Sequence, residues 1–100
     1  MYSINQDIQN NTVEIKNVNN GLYAKLYLNE GGSLQELVLN SINLIKDLYP
    51  LNYKTMYSSA ILFPFANRIV DGRYSFNGDN FQLDINNVEE NNALHGLVYN

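Results

Sequence analysis

Three side chains between residues 64 and 96 suit the recognition of a polyhydroxylated ligand. Asn67 and Arg68 are adjacent, and His95, the chain's single histidine, stands immediately before Gly96. An imidazole near neutral pH can donate, accept or shuttle a proton. A guanidinium offers fixed N–H donors to hydroxyl oxygens, and an amide beside it supplies both a donor and an acceptor. A glycine after the imidazole lets a ligand or a second backbone come close. Each residue also has a plainer reading. His95 could be a surface or satisfied core histidine, Asn67 could cap a turn, and Arg68 could pair with Asp71 or Asp84.

Other chemistries find less support. Glycosidase chemistry needs two carboxylates roughly 5 to 10 Å apart in a cleft. Glu89 and Glu90 are neighbours in a polar stretch, and Asp71, Asp79 and Asp84 are spread out, so a solvated surface accounts better for most of them. There is no cysteine and only one histidine, which argues against a disulfide framework and against a metal site within the chain. Tyr23, Tyr27, Tyr49, Tyr53 and Tyr57 could stack on sugar rings or simply cover a sheet face. No phosphate-binding glycine loop and no nucleophile elbow occurs.

Charge narrows the partners further. The formal net charge is -4. The basic residues Lys16, Lys25, Lys46, Lys54, Arg68 and Arg73 are dispersed, so no stripe awaits a phosphate backbone, and an acidic chain gains nothing at an anionic membrane. No apolar run approaches the ~20 residues of a membrane span. Met1 to Asp7 lacks the basic and apolar regions of a signal peptide, and a cytoplasmic location is the expectation.

The elements that must position Asn67, Arg68 and His95 are strands. Turn signals recur every several residues, and the segments between them alternate, the rhythm of an all-β antiparallel sandwich. One hundred residues make one small domain or part of a larger one. Residues 12–18 alternate Val13, Ile15 and Asn17 against Thr12, Glu14, Lys16 and Val18. After Asn19-Asn20-Gly21, the residues Leu22, Ala24, Leu26 and Leu28 form an apolar face expected in the core. Residues 33–40 predict a strand rather than a short helix, with Asn40-Ser41 turning into a second strand at 42–45. Residues 47–59 read as a long loop, and 59–63 as a short apolar strand ending at Pro64. Asn77-Gly78 predicts a two-residue hairpin, because a type I′ turn needs positive φ at both positions. Residues 93–99 begin another strand.

Three blocks in series carry a family resemblance. They are Pro64-Phe65-Ala66-Asn67-Arg68-Ile69, then the spaced Gly72, Tyr74, Phe76, Gly78, Phe81, Leu83 and Asn86, then Asn92-Ala93-Leu94-His95-Gly96. Together they resemble the aldose 1-epimerase (galactose mutarotase) family over about a third of the chain. The resemblance implies the N-terminal part of a large β-sandwich that carries a hexose across a concave sheet, with residues 1–100 a partial domain. It implies that Arg68 binds sugar hydroxyls, that Asn67 braces or joins it, and that His95 contacts the sugar near its ring oxygen. It also implies a reaction that opens and recloses the ring with no metal or organic cofactor. In the family a second histidine serves as general acid and a late glutamate as general base, and neither position has a match here. The chain is therefore expected to be an inactive fragment, with self-association through exposed sheet faces. The same residues would also serve a non-catalytic carbohydrate-binding module.

Overall fold

Turns built on asparagine and glycine cut the chain into short antiparallel strands. These are seen in a computed structural model that describes residues 1–47 and 49–98. The described residues form two compact units, Met1–Ile61 and Leu62–Val98, and each is all-β apart from one helical turn.

The first unit is a five-stranded antiparallel meander. Its strands are β1 (Ser3–Asp7), β2 (Thr12–Asn17), β3 (Leu22–Tyr27), β4 (Ser33–Leu39) and β5 (Ile42–Ile45), and they neighbour one another in sequence order. The turn between β2 and β3 shows how the sequence sets the connection. Asn17 Oδ1 accepts the Asn19 N–H at 3.0 Å, and Asn20 Oδ1 accepts the Leu22 N–H at 3.2 Å. Asparagine favours such local bonds to nearby backbone. The turn from β4 to β5 places Asn40 and Ser41 at φ 48° and 65°, as expected of this pair.

Three expectations for this unit are corrected, and one strand is new. β1 was not foreseen, because its own residues are polar; β2 supplies the pairing, with Ser3 opposite Lys16. Residues 59–63 form no strand; the Ile61 N–H instead bonds the Gly31 carbonyl at 2.8 Å. The long loop contains a helical turn, α1 (Tyr53–Met56), capped by Asn52, whose side chain accepts the Lys54 N–H at 2.9 Å. The leucine face of β3 is only partly core: Ala24 is buried at 7% exposure, while Leu28 is 43% exposed.

Polar groups occupy much of the interior of the first unit. A register shift opposite Lys25 and Leu26 leaves Gln35 extra in β4, a β-bulge. Both Gln35 and Ser33 are buried. Ser33 is completely inaccessible and its hydroxyl donates to the Ser58 carbonyl at 2.7 Å. Tyr53 of α1 is buried at 6% exposure and meets the Tyr57 ring edge-on at 5.9 Å. On β2 and β3, the Tyr23 hydroxyl donates to Glu14 at 3.1 Å. Burial first, and that bond second, push its phenol up to about 12.

The second unit contains β6 (Arg68–Val70), β7 (Arg73–Phe76), β8 (Asp79–Gln82) and β9 (Asn92–Leu94). β7 and β8 form the expected hairpin, with φ of 50° at Asn77 and 87° at Gly78. Tyr74 and Phe81 face each other across it and stack at 5.0 Å. β6 and β9 pair antiparallel, joining residues far apart in sequence. β6 is a strand for which the sequence predicted no element. β9 ends at Leu94, shorter than expected, and Tyr99 of the predicted strand lies outside the described residues.

The Ser33 hydroxyl anchors the segment after α1 to β4. Ser33→Ala removes the donor and strands a carbonyl, so urea denaturation is expected to show a loss of about 1–2 kcal/mol.

Candidate functional site

The site is built where β6 and β9 meet. Arg68 of β6 stands opposite Leu94 of β9, and Ile69 opposite Ala93. One residue beyond this ladder, Asn67 and His95 close it with an unusual pair of bonds. The His95 N–H donates to the Asn67 carbonyl at 2.9 Å. The Asn67 N–H donates at 3.3 Å to Nδ1 of the His95 ring. In a regular rung the second acceptor would be a backbone carbonyl; here the imidazole nitrogen takes that place.

Backbone conformation makes this exchange possible. Asn67 and His95 both lie in the left-handed region, with φ 66° and 64°. Asparagine and histidine are among the few non-glycine residues enriched there. Such outliers persist only where the surroundings over-determine them, and the surroundings here are specific. The Asn86 side chain binds both backbone groups of Leu94, accepting its N–H at 2.7 Å and donating to its carbonyl at 2.8 Å. That amide acts as a surrogate strand along β9. After His95, the chain passes so close to Phe63 that a side-chain carbon on Gly96 would overlap the Phe63 carbonyl. The Leu97 N–H then bonds that same carbonyl at 2.7 Å.

Arg68 is exposed and anchored on two sides. Nη1 donates to Asn67 Oδ1 at 3.1 Å, and Nε donates to Glu90 Oε2 at 2.7 Å. This corrects the alternative that paired Arg68 with Asp71 or Asp84. Asp71 is engaged instead by Asn91, whose Nδ2 donates to it at 2.6 Å. It also corrects the reading of Glu90 as merely solvated. The Arg68 hydrogen bond, ahead of the guanidinium's charge, holds the Glu90 carboxyl below the usual carboxylate range.

The structure therefore brings together all three residues singled out from the sequence. Asn67 bonds both Arg68 and His95. Two contributors were missed. Asn86 stood in the family pattern with no role assigned and Glu90 in a polar stretch, and their roles depend on a strand pairing that sequence spacing does not reveal. Of the tyrosines considered for stacking, Tyr53 is buried. Tyr23 and Tyr27 lie under Lys16 and Lys25, each ammonium between 5.3 and 5.4 Å from its ring. Among the described residues no group of three or more His, Cys, Asp or Glu is placed to hold a metal ion. No described helix is long and apolar enough to cross a membrane.

Two outcomes follow from this geometry. Gly78 and Gly96 both have left-handed φ, but nothing lies within 4 Å of a side-chain carbon at Gly78. Gly78→Ala is therefore expected to cost about 1 kcal/mol, and Gly96→Ala about 3 kcal/mol or more, in the same denaturation assay. The second outcome concerns pH. Because the folded state holds Glu90 below its ordinary value of 4.5, the ion pair's contribution is complete above that value. It is lost as the pH falls through the lower folded value. The Arg68 Nε–H resonance should accordingly stay protected at neutral pH and broaden in acid.

Comparison with known proteins identifies the family. A family model described as aldose 1-epimerase matches residues 11–100. An uncharacterized protein of Escherichia coli (strain K12), YihR, is 31% identical over 78 residues, covering 78% of this chain and 25% of that protein. The chain thus spans a quarter of the length of this curated relative. With the family pattern extending across β2 to β9 and through the Asn67, Arg68 and His95 cluster, this chain belongs to the aldose 1-epimerase family.

Proposed function

We propose that this chain forms the hexose-gripping part of an enzyme that interconverts the α and β anomers of a sugar. In this reading Asn67, Arg68 and His95 bind the substrate, and His95 is also a catalytic residue, contacting the sugar near its ring oxygen. The observation that carries the reading is the Asn67 N–H bond to His95 Nδ1 at 3.3 Å. With the Arg68 bond to Asn67 at 3.1 Å, it links a guanidinium, an amide and an imidazole in one hydrogen-bonded series, which supports a shared role in gripping one monosaccharide. Family membership supports a sugar as the ligand.

The chemistry is a balanced isomerisation. A proton leaves the anomeric hydroxyl and a proton reaches the ring oxygen. The bond between the anomeric carbon and the ring oxygen breaks, the aldehyde rotates, and closure reverses each transfer. Nothing is oxidised or reduced, so the step calls for no redox cofactor. Nδ1 of His95 accepts a backbone N–H, so in the neutral ring the proton sits on Nε2. That nitrogen is then a donor suited to a sugar oxygen. Ring opening needs both an acid and a base, and His95 is the sole imidazole of the hundred residues. The chain by itself is therefore expected to bind without turnover.

Ile4, Ile42 and Leu44 stand exposed on the five-stranded sheet. They support the expectation that isolated copies associate through sheet faces.

Titration of the labelled chain with D-galactose or D-glucose should shift the resonances of Asn67, Arg68 and His95. Arg68→Ala should weaken binding about tenfold or more, the cost of losing hydrogen bonds from a charged group. Polarimetry on fresh α-anomer should show no rate above buffer. Flat titrations with both hexoses would dismiss the reading. A fast rate that vanishes in His95→Ala would refute the expected lack of turnover.

A further inference from the structure

We propose that Glu90 is a positioning residue for the sugar site: it fixes the Arg68 guanidinium so that its terminal nitrogens face the ligand as ready donors. The inference rests on the hexose-binding reading above and adds to it a residue that does not touch the sugar.

The argument begins with the planar guanidinium. Its five N–H donors lie in a rigid fork. One, on Nε, is held by Glu90 Oε2, and one, on Nη1, by Asn67 Oδ1. Two anchors on different edges of a planar group fix both its plane and its rotation. Among the described residues no hydrogen bond involves Nη2. Its two N–H groups and the second N–H of Nη1 remain for hydroxyl oxygens.

An exposed ion pair is ordinarily worth little, because two long side chains must be ordered to make it. Here the carboxylate is ordered beforehand. The Glu90 N–H donates to Asn87 Oδ1 at 3.1 Å, and Asn87 Nδ2 donates to Glu90 Oε2 at 3.3 Å. Asn87 and Asn92 exchange both backbone bonds, at 3.1 and 3.0 Å, as a single bridge. The turn is closed further by the Asn91 N–H on the Val88 carbonyl at 3.2 Å. Glu90 is thus mounted on a hydrogen-bonded turn that leads directly into β9. The segment that leads through β9 to His95 also carries, on the turn before that strand, the residue that aims Arg68. Its neighbour Glu89 makes no such bond among the described residues, although its charge is the same.

The test separates reach from charge. Glu90→Asp keeps the charge but withdraws the carboxylate from Nε. Glu90→Gln loses the charge but keeps an acceptor at the same distance, and Glu90→Ala loses both. In the labelled full chain, Glu90→Ala and Glu90→Asp should abolish protection of the Arg68 Nε–H and weaken D-galactose binding about fivefold. Glu90→Gln should bind nearly as the unmutated chain does, and Glu89→Ala should change neither readout. Unchanged affinity in Glu90→Ala or Glu90→Asp, with the Nε–H signal lost, overturns the proposal. So does a pattern in which Glu90→Asp binds normally and Glu90→Gln does not, since charge alone would then suffice. If the unmutated chain shows no hexose-induced shift, the underlying sugar-binding reading has failed instead, and the inference falls with it.

Discussion

The candidate site depends on one closure, the rung at which the Asn67 N–H finds an imidazole nitrogen instead of a carbonyl. β6 and β9 are each three residues long, too short to align anything by ladder bonds alone. The rung extends their pairing by one step and uses a functional side chain to do so. A side chain that completes a backbone ladder cannot rotate freely, so His95 is oriented by the strand pairing itself. The proton of the neutral ring is assigned by the same bond, because Nδ1 must be an acceptor. Orientation and tautomer of the imidazole are therefore consequences of fold, set before any ligand arrives.

Around this closure, asparagine side chains carry out work that a larger apolar core would otherwise do. The buried apolar residues among those described are Ala24, Tyr53 and Ala93, which is a thin core. Asn86 borders β9, Asn87 mounts Glu90, and Asn52 caps α1. Asn11, Asn40, Asn67, Asn77 and Asn91 all occupy left-handed backbone, which asparagine tolerates better than most residues. In the fold it supplies turns, caps and a surrogate strand.

The second unit also shows how an exposed arginine is held in a defined orientation. Water screens the attraction between Arg68 and Glu90, so the pair adds little to stability. What it offers is geometry. Asn67 links the arginine to the histidine, and Glu90 links it to the turn preceding β9. The three candidate binding groups and their support thus form one connected network of hydrogen bonds, which ties the shape of the site to the β6–β9 pairing.

The all-β class, the hairpin at Asn77-Gly78, the strands at residues 33–39 and 42–45, and the cluster of Asn67, Arg68 and His95 were legible in the sequence. Each rests on local chemistry: period-two alternation, turn residues that accept positive φ, or side chains whose types and order match a family pattern. The partner of Arg68, the clamp of Asn86 on Leu94, the strand status of Ser3–Asp7 and Arg68–Val70, and the burial of Ser33 and Gln35 were not. Each of these arises from pairing between segments distant along the chain, which decides which backbone groups need partners and which side chains lie beside them. Asp71 is the nearer acid to Arg68 in sequence, yet the antiparallel return of β9 brings Glu90 to the guanidinium. Residue type determined which donors and acceptors this cluster offers; strand pairing decided which groups hold them in place.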